Sequence, residues 1–113
     1  MNNEILIDGN SLTLTQLELV ATGFYKVATA PEVIEKLRKS RAVIEKVLES
    51  NEVVYGVNTG FGYLKNTVIS HDEIETLQEN LIISHAAGVG EFFPESVARA
   101  MLLLRTNALI TGF

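Results

Sequence analysis

Residues Pro31–Ser50, PEVIEKLRKSRAVIEKVLES, carry the pattern on which the fold turns. Ile34, Leu37, Ile44 and Leu48 fall along one stripe, flanked by Val33, Val43 and Val47, at the spacing of an amphipathic helix. Thr29 and Glu32 make a capping box, in which side-chain oxygens satisfy amides that the first helical turn leaves unpaired. The charged residues lie on the opposite side. Glu32 with Lys36 and Glu35 with Lys39 have the favourable four-residue order, each contributing roughly a few tenths of a kcal/mol, so the charge run reads as a solvated face. Ser50-Asn51 ends the helix, since asparagine tolerates the left-handed geometry of a C-terminal cap. A helix with one apolar side requires other elements to cover it, and with the further helices that the sequence predicts the chain is expected to be mainly α.

Towards the N-terminus, Ile5-Leu6-Ile7 is a short β-prone run, Leu12 and Leu14 alternate with Ser11 and Thr13, and Asp8-Gly9-Asn10 between them is turn chemistry. The pattern predicts a small β-hairpin, marginal alone and therefore packed on something else. Thr15 and Glu18 form a second capping box, opening a short helix whose face is Leu17, Val20, Ala21 and Phe24.

Towards the C-terminus, the stretch from Val53 to Gly62 holds three glycines in seven positions between residues that favour burial. Glycine belongs where φ must be positive or another group must come close. Tyr55 stands at the mouth of this stretch, and a tyrosine there serves as acid, base, hydrogen-bond donor or plug; pattern alone does not choose. Ser70 and Glu73 make a third capping box, opening a helix with the stripe Ile74, Leu77, Leu81. Four residues further the stripe reaches His85, where Ala86-Ala87-Gly88-Val89-Gly90 loosens the helix. Phe92-Phe93-Pro94 breaks the chain, and Pro94-Glu95 suits the first turn of a last helix running to about Ile110.

That last helix is apolar nearly all round, with one stripe of Val97, Met101, Leu104 and Ala108 and another of Ala98, Leu102 and Leu109. Such a helix is enclosed in its native setting. Arg105 interrupts the second stripe and requires a carboxylate, carbonyls or a route to water. The chain stops at Phe113 with no polar segment after its most hydrophobic helix, which reads as a severed edge. The expected organisation is a mixed unit over 1–93, followed over 94–113 by the first helix of something larger.

Composition narrows the function. The chain has 113 residues, 47% of them hydrophobic, enough for one small domain or a part of a larger one. Nine basic against fourteen acidic residues give a net charge of -5, and the Lys and Arg residues are interleaved with Glu instead of forming a basic face; nucleic acid is excluded as an expected partner. No cysteine is present, and His71 and His85 are the two histidines, so no metal site is expected. With no charged-then-apolar leader and no apolar run approaching the roughly 20 residues of a membrane helix, the expectation is a cytoplasmic protein with no membrane partner. Gly60-Phe61-Gly62 and Gly88-Val89-Gly90 each offer a Gly-x-Gly, but neither has the third glycine of a dinucleotide site or a Gly-Lys-Ser/Thr.

Three ordered motifs carry a resemblance: Tyr55-Gly56-Val57-Asn58-Thr59-Gly60-Phe61-Gly62; Leu77-Gln78-Glu79-Asn80-Leu81 running into Ser84-His85-Ala86-Ala87-Gly88-Val89-Gly90; and Leu104-Arg105-Thr106-Asn107-Ala108-Leu109. In this order and spacing the chain resembles the N-terminal region of the aromatic amino acid ammonia-lyases, and within them the histidine-deaminating members. Ile7-Asp8-Gly9-Asn10-Ser11-Leu12-Thr13-Leu14 is similar to the family's opening, so the resemblance spans the chain.

The resemblance implies elimination of ammonia from an α-amino acid, giving urocanate when the substrate is L-histidine. It implies a methylidene-imidazolone cofactor built from an internal Ala-Ser-Gly, and a homotetramer, hence self-association. By motif position Tyr55 resembles the family's base. A free phenol titrates near 10, so a tyrosine that works as phenolate at neutral pH requires about 4 kcal/mol of stabilisation. Ser84 and His85 match the pair that lines the substrate-ring pocket, where polar side chains suit an imidazole that an apolar pocket would leave unpaired at a cost of about 1–3 kcal/mol. Gly60 resembles the glycine of the substrate-binding loop, whereas Asn58 and Arg105 are assigned to structure. No Ala-Ser-Gly occurs in these residues, so no lyase activity is expected of them alone. The rival expectations are a catalytically dead interaction module of the same fold, associating through its last helix, and part of a tyrosine or phenylalanine lyase or aminomutase.

Overall fold

The Asp8-Gly9-Asn10 turn does not reverse a hairpin. Strand β1 (Glu4–Ile7) pairs in parallel with β2 (Lys26–Thr29), with Ile5 opposite Val27 and Ile7 opposite Thr29, and helix α1 (Leu14–Ala21) makes the crossover that parallel strands require. The ladder is extended at both ends by Lys26 N donating to Asn3 O at 2.7 Å and Ala30 N to Ile7 O at 3.0 Å. The structure, a computed structural model, describes residues 3–50 and 52–112. It is mainly α: after β2 come α2 (Pro31–Ser50), α3 (Ile74–His85) and α4 (Glu95–Leu109), with single 3-10 turns at Gly62–Leu64 and His71–Glu73.

The hairpin fails because the chain beyond the turn is claimed by a helix. Thr13 caps α1: its Oγ1 accepts from Gln16 N at 3.3 Å while Gln16 Oε1 accepts from Thr13 N at 2.9 Å. The box is therefore Thr13–Gln16 and not Thr15–Glu18, since the earlier start lets the chain pass from the turn directly into α1 and draws Leu14 out of the strand pattern. Asp8 Oδ1 accepts from Asn10 N at 2.8 Å and Ser11 N at 2.7 Å, and these backbone donors hold its carboxyl below the ordinary 3.8. Phe24, expected on the helical face, lies beyond the end of α1 and is exposed.

Helix α2 has the predicted bounds. Its start differs in detail: Thr29 stays in the β2 ladder opposite Ile7, so Pro31, which lacks an amide to satisfy, opens the helix without a Thr29–Glu32 box. Its inward face is also rotated, running through Val33, Leu37, Ile44 and Val47–Leu48, with Ile34 exposed. Asn51, expected to cap it, lies outside the described residues.

Two compact units emerge, Met1–Arg41 with Glu91–Phe113, and Ala42–Gly90. In the first, the core is Ile5, Ile7, Val20, Ala30, Val33, Leu103 and Ile110, with Leu12, Leu17, Tyr25 and Leu37 packed against it. Helix α4 lies against α1 and offers the face Ala100, Leu103, Asn107, Ile110, a stripe between the two that the sequence suggested. Those two stripes leave Val97, Met101, Leu102, Leu104 and Leu109 exposed in this structure, and Arg105 is likewise exposed, with water as its partner route. Among the described residues no helix is long and apolar enough to cross a membrane.

Candidate functional site

The glycine stretch lies in the 42–90 unit and is built by side-chain hydrogen bonds in place of regular structure. Val57 N and Asn58 N both donate to Val54 O, at 3.1 and 3.3 Å, closing a turn that carries Tyr55. Asn58 locks it: Oδ1 accepts from Val54 N at 2.9 Å, Nδ2 donates to Glu52 O at 2.7 Å, and its carbonyl accepts from Ile69 N at 3.0 Å. Asn58 is 5% exposed, and its side-chain donor and acceptor both find backbone partners, as burial of an amide demands. The assignment of Asn58 to structure agrees with this geometry.

Thr59, fully buried at 0% exposure, accepts from Gly56 N at 3.3 Å through Oγ1 and donates from the same atom to Gly60 O at 3.0 Å. It also forms an antiparallel bridge with Val68, and Gly60 N donates to Thr67 O at 3.0 Å. Of the three glycines, Gly56 and Gly62 take positive φ, +78° and +56°, while Gly60 is needed for close approach: a Cβ there would lie 2.7 Å from Leu64 Cβ and 2.8 Å from Leu64 O.

Tyr55 is 63% exposed, its ring edge-on to Phe61 with centroids 6.0 Å apart and an interplanar angle of 69°. It is therefore neither a buried plug nor a core ring in this unit.

Ser84 and His85 occupy the last turn of α3, both exposed. At its other end α3 is preceded by Ser70, whose hydroxyl donates to the Glu73 carboxylate at 2.6 Å and whose carbonyl accepts from Glu73 N at 3.0 Å; this pair opens the 3-10 turn ahead of α3 instead of capping the α-helix. In the last turn itself, Ser84 Oγ donates to Leu81 O at 2.8 Å and lies 3.1 Å from His85 Nδ1, which is itself 2.7 Å from Leu81 O. A carbonyl oxygen only accepts, so that contact requires the proton on Nδ1 and leaves Nε2 of a neutral ring as its acceptor.

The structure thus joins the four candidates in two pairs, Tyr55 with Gly60 in one loop and Ser84 with His85 at one helix end. Among the described residues no hydrogen bond or ring contact links the pairs. A cavity of about 220 Å³ in the same unit is lined by Leu48, Val53, Asn58, Val68, Ile69, Ser70 and Ile74, and none of the four lines it. Sequence reasoning missed Thr59. Its signal was a small polar residue enclosed between Gly56 and Gly60, where a buried hydroxyl has backbone amides and carbonyls in reach.

Residues 12–113 match the family described as aromatic amino acid lyase. The chain is 46% identical over 109 residues to histidine ammonia-lyase of Bacillus subtilis (strain 168), covering 96% of this chain and 22% of that protein. It is 49% identical over 109 residues to histidine ammonia-lyase of Gloeobacter violaceus, covering 96% and 21%. Among solved structures it is similar to histidine ammonia-lyase from Trypanosoma cruzi, with a TM-score of 0.87 and 38% identity over 96% of this chain and 21% of that one. Tyrosine aminomutase from Streptomyces globisporus gives a TM-score of 0.88 at 38% identity over the same shares. The chain therefore spans about a fifth of the length of these relatives.

Proposed function

We propose, from the premise that the chain belongs to the aromatic amino acid lyase family, that residues 1–113 are the base-carrying N-terminal part of an enzyme that eliminates ammonia from L-histidine to give urocanate. Ser84-His85 is the observation that carries the choice of histidine. Two polar side chains sit exposed at one helix end, and the Leu81 carbonyl engages Nδ1 of His85 so that Nε2 remains to meet a ring N–H. An imidazole substrate has such an N–H, and a phenyl ring has none. The 44–49% identity to histidine ammonia-lyases supports the same choice.

In this reading Tyr55 accepts the β-proton of the substrate, a role open to its exposed ring. Gly60 keeps the loop backbone free of a side chain where the substrate is held. Ser84 and His85 contact the substrate ring. The family's methylidene-imidazolone is made from Ala-Ser-Gly, and no such tripeptide occurs in residues 1–113, so these residues do not fit as its source. They supply a proton acceptor and ring contacts only, and the 113-residue chain alone is expected to be inactive. Residues 94–113 would be the first helix of a longer bundle, and the whole enzyme a homotetramer in the cytoplasm.

A second reading, a catalytically dead interaction module, is favoured by the apolar residues α4 leaves exposed, Val97, Met101, Leu102, Leu104 and Leu109. A hybrid separates the two: residues 1–113 replace the aligned region of the Bacillus subtilis relative, and urocanate formation from L-histidine is followed by absorbance. The expected result is an active hybrid that loses about 100-fold or more of its rate on Tyr55→Phe. An assembled but inactive hybrid favours the module. An assembled hybrid that prefers tyrosine or phenylalanine transfers the proposal to the sister lyases.

A further inference from the structure

We propose that Thr59 is a positioning residue that couples the turn carrying Tyr55 to the loop at Gly60; this rests on Tyr55 as the base and goes beyond it. The observation is a single buried hydroxyl with two backbone partners. Oγ1 accepts from Gly56 N at 3.3 Å and donates to Gly60 O at 3.0 Å, so one atom holds the peptide that follows Tyr55 and the peptide that leaves Gly60. The side chain is enclosed completely, so water cannot substitute for either bond without rearrangement.

The neighbouring bonds show why this link is specific. Asn58 anchors the turn from outside, on Val54 and Glu52, and Gly60 is anchored to Thr67. Thr59 Oγ1 alone among these side-chain atoms reaches both Gly56 and Gly60. Gly56 has φ +78° and adds no side chain to stiffen the peptide next to Tyr55, so this peptide takes its orientation from the amide bond to Thr59. A base must stand within hydrogen-bond reach of the proton it removes, and a displacement of about 1 Å lowers a rate by about 100-fold. Thr59 therefore contributes by holding the phenol's direction relative to the substrate loop, without touching substrate.

The decisive variants are Thr59→Val, which keeps the branched shape and removes the hydroxyl, and Thr59→Ser, which keeps the hydroxyl. In the 113-residue chain itself, amide hydrogen exchange is read by NMR. Thr59→Val should speed exchange at Gly56 by about 5- to 10-fold while the Ile69 amide, bonded to Asn58 O, stays protected, and Thr59→Ser should restore Gly56. In the hybrid enzyme, Thr59→Val should lower kcat by about 10- to 100-fold with KM for L-histidine little changed, and Thr59→Ser should recover most of the loss.

Gly56 exchange that does not respond to Thr59→Val, or a hybrid in which Thr59→Val and wild type have equal kcat while Tyr55→Phe is inactive, overturns the positioning role. A Tyr55→Phe hybrid of full activity overturns the base assignment instead, whatever Thr59 does. Loss of protection at Gly56, Gly60 and Ile69 together would show that Thr59 serves general packing and would also overturn the proposal.

Discussion

The amide of Gly9 donates to Oδ1 of Asn107 at 3.1 Å, across 98 positions of sequence, and so ties the loop between β1 and α1 to the last turns of α4. The approach is close: a Cβ on Gly9 would lie 2.7 Å from Thr111 Cγ2 and 3.2 Å from Asn107 O, and Gly9 has φ +89°. Asn107→Ala should cost about 1–2 kcal/mol by orphaning a part-buried amide. Gly9→Ala should cost more, about 2–4 kcal/mol, because strain at positive φ adds to the clash. Urea unfolding of the two variants checks the order, and an equal or smaller cost for Gly9→Ala would contradict the close approach.

Gly60 has a structural reason to be glycine besides any contact with substrate. Its missing Cβ leaves room for Leu64 Cβ and Leu64 O, and the backbone oxygen cannot step aside as a flexible side chain would. Gly60→Ala should therefore loosen the loop in the absence of substrate, seen as faster proteolysis near Phe61–Thr67 and a stability loss of about 1–3 kcal/mol. Gly88→Ala is the control, since nothing lies within 4 Å of a Cβ there, and it should be nearly neutral or stabilising. A silent Gly60→Ala in the free protein, with a raised KM in the hybrid, would assign Gly60 to substrate contact alone.

Acid should act on Asp8. Its carboxylate is held below 3.8 by the amides of Asn10 and then Ser11. A folded value below the unfolded one means that the contribution to stability is present above the unfolded value and is lost as pH falls through the folded one. Asp8→Asn keeps a carbonyl oxygen for the turn but cannot titrate. The stability gap between wild type and Asp8→Asn should accordingly be largest near neutral pH and shrink between about pH 5 and pH 2, as measured by urea midpoints. A gap that widens on acidification would reverse the sign.

Exchanging the polar pair Ser84-His85 for an apolar one in the hybrid enzyme tests whether the pair selects the substrate ring. Ser84→Phe with His85→Leu should shift the kcat/KM preference from histidine towards phenylalanine by about 10-fold or more, because a ring N–H then loses its partner. Unchanged preference would make the pair a helix terminus whose hydrogen bonds to Leu81 O are its whole role.

What was legible in the sequence was what period and punctuation encode. Helix α2 fell at Pro31–Ser50 and α4 within a residue of its predicted span, because apolar spacing over three or more turns outweighs local alternatives, whereas α3 begins at Ile74 after a 3-10 turn and not directly at the Ser70 cap. The strand pairing was not legible: Lys26-Val27-Ala28-Thr29 has little strand signal of its own, and Asp8-Gly9-Asn10 suits an Asx-type turn into a helix as well as it suits a hairpin. The inward face of α4 was also missed, since with apolar residues on every side the partner decides which stripe is covered. The glycine motif marked a loop, but that Thr59 Oγ1 spans it follows only from the folded geometry.

The covered and uncovered stripes of α4 make opposite predictions. Leu103 is buried against the core, so Leu103→Ala should cost about 2–4 kcal/mol and leave association unchanged in the folded fraction. Met101 and Leu104 lie on the exposed stripe with Val97 and Ala108, where replacement by a charged residue costs within about 0.5 kcal/mol. An uncovered apolar stripe favours association, and the 113-residue chain is expected to self-associate with rising concentration. Met101→Lys with Leu104→Lys should shift the sedimentation profile to monomer while circular dichroism keeps the wild-type helix content. A wild-type chain that sediments as a clean monomer at high concentration would mean that the stripe is not used between copies.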